Sequence, residues 1–269
     1  MKYLFYRLII FLDTASEDDT NYNIAWFMAN NFKRVSKMGI SELAKACFVS
    51  PATISRFCRA IGYENFAHLK QECTLYQTNH HRYSNLANVP EKAILTSPQE
   101  ATANYTELVA SQILALNEFL DWREIDVTLK LIHDSEYVTF FGTQFSHSAA
   151  LHFQTDLMMM DKFVIAHMDV DRQIECAKRL DKDSLAIIIS VNGNYMGTCP
   201  KALNIIRKSG AKSVLITSNP EIELCRQVDH VIQIGDKSHM KIGKHTLLTV
   251  VELMACRYFA LYSHENKID

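Results

Sequence analysis

The chain has 269 residues, 48% of them apolar and 22% charged, which is the composition of an ordinary globular protein with room for one large domain or two modest ones. With only 8 glycines and 5 prolines, collagen-like, linker-dominated and turn-dense all-β architectures are excluded. A net charge of −2 excludes a uniformly basic nucleic-acid coat, though not a local basic module.

Seven cysteines, at 47, 58, 73, 176, 199, 225 and 256, are odd in number and nowhere spaced C-x-x-C. That scatter fits neither a secreted disulfide framework nor a zinc ribbon, and it points to a reducing cytoplasm. The first apolar run, Tyr3 to Leu12, is too short to span a bilayer and is interrupted by Arg7. Asp13, Glu17, Asp18 and Asp19 stand where a signal peptide would have its small-residue cleavage site. The run therefore reads as a packing or dimer-contact helix, with no membrane anchor after it.

Charge divides the chain near residue 84. Residues 1–83 hold 10 Lys+Arg against 7 Asp+Glu, whereas the remaining 186 hold 18 against 23. Beyond the acidic cluster that precedes Asn21, residues 22–83 carry 8 basic and 3 acidic side chains. A basic head on an acidic body suits an anionic partner for the head alone. A helical domain with a solvated basic face would give the same count.

The head reads as all-helical. Ile24, Phe27, Met28 and Phe32 recur at helical spacing behind the capping run Asp18-Asp19-Thr20-Asn21. A short helix is expected over Ser41–Ala46. Ser50-Pro51 then places an N-cap and a first-turn proline ahead of a helix with Ile54, Phe57, Cys58 and Ile61 on one side, ended by Gly62. Another amphipathic helix begins near Asn65 and carries Phe66, Leu69 and Cys73.

The segment from Ile40 to Phe57 has the layout of a helix-turn-helix. Leu43 and Ala44 face inward, Val49 plugs the turn, and Ile54 anchors the second helix. Ala52, Thr53, Ser55, Arg56 and Arg59 remain outward on that helix. Short hydroxyl side chains near the start of a recognition helix let its backbone approach DNA, and long donors reach guanine edges or phosphates. The expected DNA-binding set is Ser41, Ser50, Thr53, Ser55, Arg56 and Arg59, with Ser41 donating to a backbone phosphate. A helical hairpin that touches no nucleic acid is the alternative.

The string Glu42-Leu43-Ala44, then Val49-Ser50-x-x-Thr53-Ile54-Ser55-Arg56-Phe57-Cys58-Arg59-x-Ile61-Gly62-Tyr63-x-x-Phe66-x-x-Leu69-Lys70, resembles the N-terminal domain of the RpiR-type bacterial transcriptional regulators. The resemblance covers about Asp18 to Lys70 and implies binding to a double-stranded DNA operator.

The body has a different rhythm. Five runs rich in β-branched and aromatic residues, Tyr137–Phe141, Phe163–His167, Leu185–Val191, Ser213–Thr217 and His230–Ile234, alternate with helical stretches at Ser148–Met160, Asp171–Leu180, Pro200–Ser209 and Pro220–Val228. Segments near Ala101–Leu120 and Glu124–His133 precede them, and His245 to His264 follows. This alternation predicts βαβ units, hence a five-stranded parallel sheet with helices on both faces. The expected division is a helix-turn-helix domain over 1–75, a polar linker with Pro90 and Pro98 over 76–100, and an α/β domain over 101–269.

In an open parallel sheet, ligands sit outside the carboxyl ends of strands. Two loops carry suitable chemistry: Gly142-Thr143-Gln144-Phe145-Ser146-His147-Ser148 after the first strand, and Ser190-Val191-Asn192-Gly193-Asn194 after the third. Helix-start N–H groups with Ser and Asn side chains make an anion cradle without a basic residue. Plain turn and cap roles are the alternative for these residues.

Residues 100–265 are similar to the SIS (sugar isomerase) domain that follows the DNA-binding head in the same regulators. The family's loops, G-x-G-x-S and S-x-S-G-x-T, hold a phosphosugar. Here Gly142 and Ser146 match the first loop, and Gln144 replaces its second glycine. Ser190 and Gly193 match the second loop; Asn192 replaces the middle serine and Tyr195 the threonine. The resemblance thus implies a small phosphosugar-like effector held by Gly142, Ser146, Ser190, Asn192, Gly193 and Asn194, or by an altered or vestigial version of that pocket.

An aldose–ketose isomerase with a helical appendage is the enzymatic alternative. Its base would come from Glu221, Glu223, His239, His245 or Glu252, none paired at a spacing that enforces acid–base cooperation. His147 and His152 are five apart and His80-His81 fall in the linker, so no metal cluster emerges; Met158-Met159-Met160 reads as core packing. The expectation is a cytoplasmic, non-enzymatic regulator without a cofactor, acting as a homodimer or higher homo-oligomer, with the last helix and Tyr3–Leu12 as candidate dimer contacts.

Overall fold

The computed structural model describes residues 3–78, 89–236 and 243–263, in two compact units, Met1–Ala87 and Asn88–Asp269. In the first unit the described elements are all helical: α1 (Tyr3–Thr14), α2 (Thr20–Asn30), α3 (Phe32–Val35), α4 (Ile40–Ala46), α5 (Pro51–Ala60) and α6 (Phe66–Thr78). Side-chain caps set the starts of α2, α5 and α6. Asp19 accepts from the Asn21 amide at 2.8 Å, and Asn65 accepts from the His68 amide at 2.9 Å.

Leu4, Leu8, Ile24, Met28, Val35, Leu43, Ile54, Phe57 and Leu69 interlock in one buried cluster, each worth about 1.5–3 kcal/mol relative to exposure. Cys58 and Cys73 belong to it as small apolar fillers. Burial pushes their thiols up to about 11 and about 12, so both are neutral.

Of the two roles open to α1, packing is the one observed. Phe5 stacks on Phe32 at 4.3 Å between ring centroids, and Phe11 meets Phe57 edge-on at 5.8 Å. The Arg7 guanidinium donates to the Ile61 carbonyl and lies over the Tyr63 ring, 5.3 Å from its centre. It thus meets the negative end of the α5 dipole.

The second unit opens with α7 (Glu91–Thr96), α8 (Pro98–Phe119) and α9 (Trp122–Asp134). Then follow β1 (Tyr137–Phe141), α10 (Phe145–Met159), β2 (Ile165–Ala166), α11 (Val170–Ala177), β3 (Ser184–Ile189), α12 (Tyr195–Thr198), α13 (Pro200–Ser209), β4 (Lys212–Thr217), β5 (His230–Gln233) and α14 (Gly243–Tyr262). The strands form one parallel sheet in the order β2-β1-β3-β4-β5.

Alternation along the strands separates the two faces. Val138, Phe140, Leu185, Ile187, Val214 and Ile216 join the core beneath α9, α10 and α14. The intervening Phe141, Ala186, Ile188 and Leu215 are also buried, on the side of the adjacent α11 and α13. Helices therefore cover both faces of the expected five-stranded sheet, and β3 is buried at every position.

Met158 and Met159, read as core packing, are exposed at the end of α10, and only Met160 packs on the core; three expectations of secondary structure also change. The helix read over Pro220–Val228 is only a 3₁₀ turn, Glu223–Arg226. Asn219 Oδ1 accepts from the Glu221 amide, and the i→i+3 bonds Cys225 N–Ile222 O and Gln227 N–Leu224 O tighten the chain before β5 starts at His230. The stretch read as linker contains α7 and the first residues of α8, its residues 79–88 lying outside the described ones. The second strand shrinks from five residues to two at the sheet edge.

Candidate nucleic-acid interface and ligand site

The α4–α5 pair is joined by a tight turn. The Val49 amide donates to the Ala44 carbonyl at 2.9 Å and the Phe48 amide to the Lys45 carbonyl at 3.2 Å, which is a Schellman motif closing α4. Leu43, Ala44 and Ile54 are buried at the helix contact, as their spacing requires.

On the open side of α5 the polar residues form a chain. Ser50 Oγ accepts from the Thr53 amide at 3.2 Å and lies 3.0 Å from Thr53 Oγ1. Thr53 Oγ1 in turn accepts from Arg56 Nη2 at 3.2 Å. Arg59 Nε reaches the Ser55 carbonyl at 3.4 Å. Ser50, Arg56 and Arg59 are exposed and Thr53 and Ser55 half-buried, while Ser41 is exposed in the first turn of α4. A hydroxyl-rich helix start followed by an oriented guanidinium suits a major groove, with Arg as a bidentate donor to guanine.

In the second unit the chain runs from β1 outward to β2, then returns past β1 to β3. The strand order thus reverses between β1 and β3, the point where doubly wound sheets open a crevice. Register places Phe141 opposite Ile188, so Gly142 and Ser190 leave the sheet side by side. A Cβ on Gly142 would lie 3.1 Å from Ser146 Cβ and 3.3 Å from the Ile189 carbonyl, so a larger residue there would push its neighbours back slightly.

The site is shaped by Gln173 and Tyr195, whose side chains are buried beneath these loops. Gln173 Nε2 donates to the carbonyls of Gly142 and His167, both at 2.7 Å. The Ser190 hydroxyl accepts from the Tyr195 amide at 3.0 Å, so it faces its own loop. Asn192 Oδ1 is buried without a protein partner. Gly193 holds φ +78 against Ile222, and Asn194 is exposed at the start of α12. Gln144 keeps a backbone suited to glycine, φ +53 and ψ −121, without capping α10. His147, in the first turn of α10, is buried with Nε2 3.3 Å from the Ala166 carbonyl; burial lowers its pKa, so it is neutral near pH 7.

Of the six ligand candidates, Gly142, Ser146, Ser190, Asn192 and Gly193 stand on or beside the loops that leave β1 and β3 at the switch point, and Asn194 is exposed. Gln173 had no signal in the sequence, because it enters from the start of α11, far from either loop.

The candidate bases are dispersed. His245 meets the Tyr105 hydroxyl at 2.9 Å, Glu223 accepts from Gln227 Nε2, and Glu221 and Glu252 are exposed. His239 lies outside the described residues. Among the described residues no group of three or more His, Cys, Asp or Glu side chains is placed to hold a metal ion, and no helix is long and apolar enough to cross a membrane.

A helix-turn-helix with an open donor face, together with an α/β unit whose strand order reverses between β1 and β3, fits a two-domain DNA-binding regulator. Residues 14–79 match the helix-turn-helix domain of the rpiR family and residues 131–262 the SIS domain. The chain belongs to the RpiR-type transcriptional regulators, joining the helix-turn-helix domain of that family to a SIS domain. It is 28% identical over 199 residues to the HTH-type transcriptional regulator HexR of Pseudomonas aeruginosa, covering 72% of this chain and 67% of that one. Over 246 residues it is 22% identical to an HTH-type transcriptional regulator of Caldanaerobacter subterraneus, covering 90% and 86%. Its fold is similar to that of the Vibrio vulnificus NanR protein complexed with ManNAc-6P, with a TM-score of 0.55 and 16% identity over 97% of this chain and 93% of that one.

Proposed function

We propose that the chain acts in the cytoplasm as a homodimer that docks two α5 helices on an operator and senses a small phosphosugar-like anion without turning it over. The DNA-reading residues are Ser41, Ser50, Thr53, Ser55, Arg56 and Arg59. The observation that carries this assignment is the hydrogen-bonded chain Ser50–Thr53–Arg56 on the open face of α5. A two-fold dimer presents these faces to half-sites about one helical turn, or a multiple of it, apart. The side of α14 turned from the sheet leaves Leu248, Leu253 and Phe259 exposed and is the proposed dimer contact.

The effector occupies the β1–β3 crevice, its anionic group at the N-terminal end of α10 beside Ser146 and its hydroxyls against Asn192. Occupancy changes operator affinity by favouring one arrangement of the two heads over another. The NanR complex with ManNAc-6P supports a phosphorylated sugar as the ligand class. A second reading, a vestigial pocket, is favoured by the buried Tyr195 beneath the loops.

Fluorescence anisotropy on DNA flanking the protein's own gene, with nonspecific competitor and a sugar-phosphate panel, tests both. Competitor-resistant binding changed by one compound supports the sensor. Specific binding indifferent to the panel, with no thermal shift by any sugar phosphate, supports the vestigial pocket. Turnover of a sugar phosphate, lost in His245→Ala or Glu252→Ala, would replace either with an isomerase.

A further inference from the structure

Among the described residues three helices end in the same pair of bonds around a left-handed residue, and that residue differs each time. At the end of α5, Gly62 takes φ +82, with the Tyr63 amide donating to the Cys58 carbonyl at 2.8 Å. At the end of α10, Asp161 takes φ +60, with the Lys162 amide donating to the Leu157 carbonyl at 2.9 Å. Glycine suits this conformation because it has no Cβ, and short polar residues tolerate it. At the end of α4, in the turn of the helix-turn-helix, the position is held by Phe48 at φ +56.

A phenylalanine there is costly twice. Its Cβ crowds the backbone in the left-handed region. Its ring is 97% exposed, more than any other large apolar side chain among the described residues. The ring therefore contributes almost no packing to the head that could offset either cost. Two residues further on, Ser50 caps α5, and the Ser50–Thr53–Arg56 chain begins. Phe48 thus stands at the end of α5 where a recognition helix comes nearest to the duplex, continuous with the polar face already described.

We infer that Phe48 is an additional DNA contact, an apolar anchor laid against deoxyribose carbons or thymine methyl groups at the edge of the major groove. The inference rests on the assignment of α5 as the recognition helix. Apolar contact with a thymine methyl carries sequence information, whereas contact with deoxyribose only positions the helix. Neither releases a counterion, so the contact leaves the salt dependence of binding unchanged.

The test uses the full chain and a duplex enriched from a random-sequence library by the unmodified protein. Phe48→Gly relieves the backbone, so its thermal midpoint is expected to equal or exceed that of the parent. Its affinity for the enriched duplex is expected to fall about tenfold, at the scale of a few buried methylene groups, with the salt slope retained. Phe48→Tyr is expected to restore most of the affinity. Replacing thymine by uracil in the duplex weakens the parent, but not Phe48→Gly, if the ring reads methyl groups; it leaves both unchanged if the ring lies on sugar.

Parental affinity in Phe48→Gly overturns the inference, as does a loss that accompanies a change of oligomeric state in sedimentation, which would make the ring a protein contact. Arg56→Ala separates the two levels of the argument. If it weakens binding while Phe48→Gly does not, only Phe48 is removed from the interface. If neither variant weakens binding, or the parent enriches no duplex, the recognition-helix assignment fails as well.

Discussion

The Tyr195 hydroxyl donates to Gln173 Oε1 at 2.6 Å, and through Gln173 it is tied to the carbonyls of Gly142 and His167. One buried amide thus joins the loop after β1, the approach to α11 and the start of α12. Every polar group of that amide is satisfied, which is the condition for a buried network to stabilise rather than weaken a core.

Tyr195→Phe keeps the ring and removes the hydroxyl, leaving Gln173 Oε1 buried without its donor. The expected loss is about 1–3 kcal/mol, read as a lower urea midpoint with an unchanged m-value. Tyr195→Thr, the residue of the family pattern, shortens the side chain beneath the loops. It should increase the thermal shift given by sugar phosphates even though the free protein is less stable. A shift no larger than the parent's would show that Tyr195 does not limit the site.

Arg56→Ala should weaken operator binding by about 1–3 kcal/mol if the guanidinium reads a base edge. Specificity would relax at one position of the half-site. If Arg56 holds a phosphate, the loss is uniform across sequences and the salt slope becomes shallower. Anisotropy titrations at several salt concentrations, on operator and nonspecific duplex, distinguish the two.

Gln144→Gly should stabilise the second unit, because φ +53 with ψ −121 is a conformation open to glycine and strained for glutamine. Relief of about 1 kcal/mol is expected, visible as a rise in thermal midpoint. The same change removes the side chain from the approach to α10. A fall in stability would mean that the glutamine side chain makes contacts worth more than the strain.

His147 predicts a pH dependence. Its folded pKa is depressed by burial, below the ordinary value of 6.5. The unfolded chain therefore binds a proton that the folded chain refuses as pH drops through that ordinary value. Stability is full above it and declines below it until the folded pKa is reached. Thermal midpoints should fall between neutral pH and mildly acid pH, and His147→Gln should flatten that fall. His167 and His245, also depressed by burial, act in the same direction and set the slope that remains.

The elements most legible in the sequence are those whose local chemistry and packing agree. Ser50-Pro51 fixes the start of α5 wherever the rest of the chain goes, since both the cap and the proline act within one turn. β1 and β3 combine β-branched or aromatic runs with central positions in a sheet covered on both sides. Glu223–Arg226 shows the opposite case. Its composition suits a helix, but the turn at Asn219 and the start of β5 leave space for only one tight turn. The proposed ligand site is half legible: loop residues such as Gly142 and Ser190 follow strands, and the strand order then brings them together. The role of Gln173 depends on a contact 31 residues from Gly142, which no local pattern encodes.

The matched helix-turn-helix domain begins at residue 14, yet Arg7 already grips the last turn of α5, and Leu4 and Leu8 lie in the head's core. A Cβ on Gly62 would collide with that guanidinium, so the grip depends on the glycine as well as on the arginine. A protein trimmed to the domain boundary would lose the clasp that steadies α5, its proposed reading helix. Isolated heads intended for DNA work should therefore keep their first thirteen residues, and a bulky tag fused close to Arg7 would press on the helix proposed to touch the operator.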